Sequence, residues 1–442
     1  MDRQIIQPRT LKGFTDVLPT AGQYRRRMLR VIEETFCSFG FDPIQTPNVE
    51  YAEILKGKGG GDNDKQMFEF RDAGGRDVAL RFDLTVPLAR FVAQHGPRLT
   101  MPLRAYNIGY VFRGDRPQKG RYREFLQCDA DIIGETDVSA DAEILAIAQA
   151  ALTRMDFGRF VVRVNNRRMV NGLLNGLDLG DRITPVLRAL DKIDKIGPAG
   201  VTAELAQVEV DAAVVERILA VLAARGETNE ATFAAVADLV DSAEAEAGLE
   251  ELRTILDLVV AAGGDPDVVR FDPSIVRGLD YYTGMVYEIG FVEAPEVGSV
   301  GGGGRYDNLT GLYTRSRFPG VGGTIGVTRL MSALESLGRI RDAERQRPLV
   351  VVTRGNQEDQ IADARLAASV RETGLFDVDL YPGAARHAAQ MKYADGRGAM
   401  FVLTLDDPTT VSVKELRSGD RTSIAVEQVA DLLPKLAGIS RS

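Results

Sequence analysis

The sequence predicts an α/β protein in which an α+β domain, an antiparallel sheet with helices, is interrupted by a helical insertion and followed by a small three-layer α/β domain. Three observations carry this expectation. Residues 103–112 (LRAYNIGYVF) are an apolar and aromatic run and residues 123–133 a mixed, loosely alternating one, joined through Pro117 and Gly120, the pattern of an antiparallel hairpin. From about Asn171 to Gly264 the texture turns to alanine- and leucine-rich helical segments. Beyond residue 347, short apolar runs alternate with helical ones.

Each element follows from local chemistry. Residues 20–40 have helical periodicity and stop at Gly40, in the C-cap position. Residues 41–49 run extended, because Pro47 is excluded from a helix interior. Residues 56–66 (KGKGGGDNDKQ) are too glycine-rich and charged to order alone and read as a mobile loop. The run 81–87 (RFDLTVP) reads as a strand, which places Asp83 and Thr85 on one face; the same parity joins Gln127 to Asp131. Within the insertion, helices are expected over 203–224 and 229–247, and residues 238–251 form an acidic surface. Gly301–Gly304 reads as a strand floor, where backbone approaches a ligand with no Cβ between. Residues 339–347 (RIRDAERQR) read as a linker. After it come an apolar run at 349–352, a helix at 357–373, a strand at 377–381, a helix at 384–393, strands at 399–404 and 410–416, and a helix at 426–433. The expected division is 1–170, 171–265, 266–338, 339–347 and 348–442.

Composition narrows the class. With 442 residues the chain has room for two or three domains, and 44% hydrophobic with 26% charged residues is ordinary for a soluble globular protein. A net charge of −9 announces no nucleic-acid binder globally, although a locally basic face still serves. Two cysteines, Cys37 and Cys128, argue against a disulfide framework and for a reducing, cytoplasmic setting. With only His95 and His387, no Cys/His zinc cluster is available. No apolar run approaches membrane-spanning length, and the N-terminus carries no signal-peptide core. Neither Gly320-x-Gly322 nor Gly301–Gly304 has dinucleotide-fingerprint spacing, and there is no GxxxxGK[ST] loop.

The chemistry concentrates in Arg113–Asp131 (RGDRPQKGRYREFLQCDAD). Arg113, Arg116, Lys119, Arg121 and Arg123 crowd one turn, and guanidinium forks match phosphate geometry. This segment resembles motif 2 of class II aminoacyl-tRNA synthetases, in the form of the histidyl-tRNA synthetases. Arg277–Thr283 (RGLDYYT) is similar to the signature peculiar to that family. Residues 301–307 (GGGGRYD) resemble its glycine-rich strand, 323–330 (GTIGVTRL) its motif 3, and 13–19 (GFTDVLP) its N-terminal segment. Residues 20–49 resemble motif 1, which implies a homodimer.

The resemblance implies an aminoacyl-tRNA synthetase, a histidine–tRNA ligase, that activates L-histidine with ATP and Mg²⁺ and charges tRNA(His). By the same resemblance Arg113 and Arg277 are catalytic and touch histidine; Asp83, Thr85, Gln127, Asp131, Tyr281 and Tyr282 bind histidine. Arg113, Asp115, Arg121, Phe125 and Arg329 bind ATP. Asp115 stands where a glutamate is more usual. Arg116 and Gln118 reach the acceptor end of the tRNA. Metal ligands are left open. Residues 348–442 imply an anticodon-binding domain, with Leu405–Pro408 departing from the usual acidic turn, and 171–265 an insertion touching the acceptor arm. Two other readings stay open: a catalytically inactive relative that partners ATP phosphoribosyltransferase, and an adenylating enzyme with a non-tRNA acceptor.

Overall fold

The computed structural model describes residues 6–56, 66–118, 120–276, 281–340, 347–354, 360–383 and 385–439. The chain divides into two compact units, Met1–Asp342 and Ala343–Ser442. In the first, α1 (Pro19–Ser38) leads through β1 (Asp42–Pro43), β2 (Val49–Tyr51), α2 (Ala52–Lys56), β3 (Glu69–Arg71) and β4 (Asp77–Leu80) to α3 (Thr85–His95). The hairpin strands β5 (Leu103–Phe112) and β6 (Glu124–Ile133) follow, then α4 (Ser139–Met155) and β7 (Phe160–Asn166). A helical run comes next: α5 (Arg167–Gly176), α6 (Ile183–Leu190), α7 (Ile193–Gln207), α8 (Ala212–Ala223), α9 (Asn229–Ala237) and α10 (Ala243–Ala261). The chain returns through β8 (Val269–Phe271), β9 (Met285–Phe291), β10 (Ser299–Tyr306) and β11 (Gly320–Gly326) to α11 (Val327–Ser336).

Among the described residues, eight strands form one sheet in the order β1-β5-β6-β11-β10-β9-β7-β8. Its pairings are antiparallel except β1 with β5 and β7 with β8. Alternation gives the sheet two unlike faces. Tyr106, Cys128, Ala130, Ile132, Tyr287, Ile289, Val321 and Ile325 are buried together with Ile144, Leu145, Ile147 and Ala148 of α4. The opposite face carries Asn107, Gln127, Asp129, Asp131 and Thr324.

The helices expected at 203–224 and 229–247 are each broken. Glu209 takes φ 60, which ends the first helical stretch before Asp211 caps α8 through Ala213 N. Ser242 is extended and accepts from Ala245 N at 3.1 Å, so α10 starts afresh there. The run 81–87 is likewise not a strand. β4 ends at Leu80, and Thr85 already opens α3, with Pro87 in the first turn where its missing N–H costs nothing.

The second unit holds β12 (Leu349–Val352), α12 (Gln360–Glu372), β13 (Asp377–Leu380), α13 (His387–Gly396), β14 (Phe401–Asp407), β15 (Thr410–Glu415), β16 (Arg421–Ala425) and α14 (Val429–Leu436). Its sheet runs β13-β12-β14-β15-β16. Val350, Val352, Phe401 and Leu403 pack with Leu366 and Val370 of α12 and Leu433 of α14, whereas Leu349, Val351 and Val402 pack with Ala394 of α13. Helices therefore cover both faces, giving three layers. β16 is the strand absent from the expected order; its exposed alternation (RTSIA, with only Ile424 buried) hides it in the sequence. No helix among the described residues is long and apolar enough to cross a membrane.

One buried ion pair ties the sheet to α4. Arg305 of β10 reaches Asp141 through Nε at 3.0 and 3.1 Å, and also donates to the carbonyls of Glu135 (2.9 Å) and Asp137 (3.1 Å). Both side chains are nearly inaccessible, at 6% and 0% exposure. Arg305→Met leaves a buried carboxylate without its counter-charge, so denaturant unfolding is expected to show a loss of about 3–5 kcal/mol. Arg305→Met combined with Asp141→Leu should recover most of it, and a single-variant loss below about 1 kcal/mol would contradict the assignment.

Candidate active site

The site is built from the polar face of β5, β6 and β11. In register, Gly109, Asn107 and Ala105 of β5 oppose Gln127, Asp129 and Asp131 of β6, which oppose Gly326, Thr324 and Gly322 of β11. Phe125 shares this parity, paired with Val111. Arg113 extends the ladder by one step, its N–H donating to Arg123 O at 2.9 Å. The Arg113 guanidinium lies 4.3 Å from the Phe82 ring centroid and 5.1 Å from that of Phe125, with Nε donating to Phe82 O at 3.1 Å. Arg113, Phe125, Gln127 and Asp131 are thus brought together in one row.

Asp83 joins them from the loop before α3, where its Oδ1 accepts from Val86 N at 2.9 Å. Asp83 and Thr85 consequently do not share a strand face: one caps the helix that the other begins. Burial pushes the Asp83 carboxyl above its usual range, opposed by the Val86 N–H and by Arg113. Burial also pushes Asp129 well up, reinforced by Asp131 and Asp83. Asp131 is pushed up to about 7 by burial, with Asp83 adding to the rise and the Tyr306 hydroxyl, which donates to Asp131 Oδ1, opposing it. Three carboxyl groups therefore share one poorly solvated space.

Tyr281 and Tyr282 stand with ring centroids 4.7 Å apart, and Tyr281 meets Tyr306 edge-on at 6.2 Å. The glycines of β10 and β11 make room for these side chains: a Cβ on Gly304 would lie 2.9 Å from the Tyr282 ring, and one on Gly322 1.8 Å from Asp131 Oδ1. The glycine floor is there, and protein side chains cross it.

The remaining candidates sit around this row. Arg329 is on the first turn of α11, its Nη1 donating to Ser299 O at 2.5 Å, while the neighbouring Thr328 hydroxyl accepts from Leu126 N at 2.8 Å. The start of α11 thus adjoins the Phe125–Gln127 end of β6. Asp115 accepts through its carbonyl from Arg123 Nε at 3.0 Å. Arg121 and Gln118 form an isolated bridge across the turn, and Gln118 and Arg116 are exposed. The loop expected at 56–66 falls largely, and Arg277 wholly, outside the described residues.

Reading the sequence alone misses Asp129, although it lies at the same parity between Gln127 and Asp131. It also misses Asn107, Thr324, Tyr306 and Arg81. Arg81 is buried, donating to Thr46 O at 2.8 Å and Tyr110 O at 2.7 Å, and loss of solvent lowers its pKa despite the acids around it. Among the described residues, no group of three or more His, Cys, Asp or Glu side chains is arranged to hold a metal ion.

Because the folded-state pKa of Asp131 lies above its unfolded value, the unfolded chain ionises first as pH rises. Stability is therefore expected to fall between about pH 4 and pH 7, by up to about 4 kcal/mol from this group. Asp131→Asn should flatten that slope and be more stable than the unmodified protein at pH 8. Unfolding curves with the same slope for both proteins would refute the raised value.

Comparison with known proteins identifies the family. Residues 13–330 match the sequence model of the histidyl-tRNA synthetases. The chain is 44% identical over 438 residues to a histidine–tRNA ligase of Rhodopirellula baltica, covering 95% of this chain and 96% of that one. It is 39% identical over 441 residues to that of Wolinella succinogenes, covering 98% and 99%. The crystal structure of histidyl-tRNA synthetase from Nostoc sp. PCC 7120 superposes with a TM-score of 0.86 at 30% identity, covering 98% of this chain and 100% of that one. A protein of Bacillus halodurans described as an ATP phosphoribosyltransferase regulatory subunit/histidyl-tRNA synthetase shares the fold at a TM-score of 0.74 and 23% identity, covering 88% and 97%. The chain belongs to the histidyl-tRNA synthetase family.

Proposed function

We infer that the polar face of the sheet is the active site of a histidine–tRNA ligase. The reaction joins L-histidine and ATP to histidyl-adenylate with release of pyrophosphate, then transfers the histidyl group to the 3′ end of tRNA(His). The observation that carries this reading is the row itself, an arginine and an aromatic ring at one end and buried acids at the other. The attacking carboxylate is already ionised, so the site needs no general base. It must align two anions and stabilise charge on the α-phosphate.

Arg113, held by Phe82 and Phe125, supplies a fixed positive charge for the histidine carboxylate and the α-phosphate. Phe125 offers a face for adenine, Arg329 from α11 takes the γ-phosphate end, and Asp115 and Arg121 flank the nucleotide. Arg277 acts with Arg113 at the α-phosphate, a role that rests on the sequence signature. At the acid end, Asp83 and Thr85 receive the α-ammonium, Gln127 the substrate's backbone groups, and Asp131 an imidazole N–H, with Tyr281 and Tyr282 as walls. Mg²⁺ would accompany ATP as counter-charge for its phosphates, with the protein ligands left open. Arg116 and Gln118 contact the acceptor end of the tRNA, residues 348–442 bind the anticodon region, and two copies pair through residues 20–49.

ATP–pyrophosphate exchange across the twenty amino acids should be stimulated by histidine; stimulation by another amino acid and not by histidine would overturn the reading. Arg113→Ala and Arg277→Ala should each lower the adenylation rate by roughly 10²-fold, well beyond any rise in KM. Lysine at either position should recover little, because a point charge lacks the two-pronged contact. Single-turnover rates within a few-fold of the unmodified enzyme would remove that arginine from the mechanism. Light scattering at micromolar protein should give the mass of a dimer; a fully active monomer would sink the pairing.

A further inference from the structure

We infer that Asp129 is a positioning residue for histidine recognition: through the Thr324 hydroxyl it sets which end of the Gln127 side-chain amide faces the bound amino acid. The inference rests on the reading that this face binds histidine. Gln127 Nε2 donates to Thr324 Oγ1 at 3.0 Å. Thr324 stands opposite Asp129 in the β6–β11 register, and the Asp129 carboxyl, whose buried Oδ1 has no other donor among the described residues, is the acceptor facing its hydroxyl proton. A hydroxyl has one proton to give. Once that proton points at Asp129, Thr324 can only accept from Gln127, so the amide must turn its nitrogen toward Thr324.

The consequence lies at the other end of the amide. Gln127 Oε1 is buried and has no hydrogen-bond partner in the protein. Gln127 is 8% exposed and Asp129 4%, so water does not replace the missing donor freely. A buried carbonyl oxygen held out in this way fits a substrate N–H donor, and the ammonium of an amino acid is one. Were the amide reversed, its NH₂ group would face that ammonium, donor against donor. Ionised or neutral, Asp129 keeps an oxygen able to accept the Thr324 proton, so the relay survives the carboxyl's raised pKa.

The test measures KM for histidine and for ATP in pyrophosphate exchange. It adds the inhibition constant of 3-(imidazol-4-yl)propionate, which is histidine without its amino group. Thr324→Val should raise the histidine KM by about 10-fold, the cost of one mispaired buried polar contact. The ATP KM, kcat and the inhibition constant of the des-amino analogue should stay within about 2-fold, which a general structural loss would not spare. Thr324→Ser keeps the hydroxyl and should behave as the unmodified enzyme. Asp129→Asn can donate to Thr324 and so reverse the relay; it should raise the histidine KM alone, and add nothing in the Thr324→Val background. A Thr324→Val enzyme within 2-fold of the unmodified one, multiplicative effects in the double variant, or an equal loss for the des-amino analogue would overturn the relay. If the unmodified enzyme shows no histidine-stimulated exchange, the proposed function itself falls. The relay is then judged from a neutron structure, where the Gln127 amide deuterons must point at Thr324 and must reverse in Asp129→Asn.

Discussion

The site depends on the register of β6 between β5 and β11. A strand's side chains alternate, so a slip of one residue would exchange its two faces completely. Leu126, Cys128, Ala130 and Ile132 would then meet the polar side, while Phe125, Gln127, Asp129 and Asp131 would be driven under α4. Burying two carboxyl groups and an amide in that apolar layer without partners costs several kcal/mol. The hydrophobic term that folds the sheet therefore also aims the candidate binding groups. Arg305 and Tyr306 show the same division at adjacent positions of β10: one turns to Asp141 beneath the sheet, the other to Asp131 above it.

Along β6 the row is polarised. Asp131 and Arg113 lie at opposite ends of it, with the Phe125 ring beside the guanidinium. Burial raises the pKa values of Asp83, Asp129 and Asp131, and the neighbouring carboxyls add to the rise at Asp129 (from Asp131 and Asp83) and at Asp131 (from Asp83). Such a cluster destabilises the empty protein and is relieved by a bound cation or N–H donor. The arginine end has the opposite preference. In the proposed reaction this polarity fixes the order of the reactants on the strand, with histidine's N–H groups toward the acids and its carboxylate, with the phosphate it attacks, toward Arg113. Alignment then comes from the fold's own charge pattern and requires no rearrangement of the row.

How far this was legible in the sequence follows the range of the interaction. The two long strands, the first helix and the layered C-terminal unit are written in local periodicity, and the hairpin strands fall within a residue of expectation. Parity alone joined Gln127 to Asp131, and the same parity contains Asp129, passed over because an acid between Cys128 and Ala130 reads as ordinary strand polarity. Asp83 and Thr85 are misplaced because alternation in a seven-residue run outweighs Pro87, which sits in the first turn of α3. Thr324, Tyr306 and Arg81 reach the row only through pairing with distant segments, and no local pattern announces such register. The insertion's helix breaks hinge on single backbone choices, Glu209 and Ser242, inside runs whose composition stays helical.

The row also separates the catalytic reading from that of an inactive, histidine-sensing relative. In the roles proposed above, sensing histidine needs only the acid end, whose groups receive the ammonium and the imidazole. It does not require a guanidinium fixed beside half-buried aromatic rings at the far end of the row. Arg113 is held there against the Phe82 and Phe125 rings, with its Nε donating to the Phe82 carbonyl. Arg329 at the start of α11, where helix N–H groups also point outward, adds a second positive element next to the Phe125 end. In the proposed function the Phe125 end of the row takes the polyphosphate and the acid end takes histidine, and joining the two is what a ligase does.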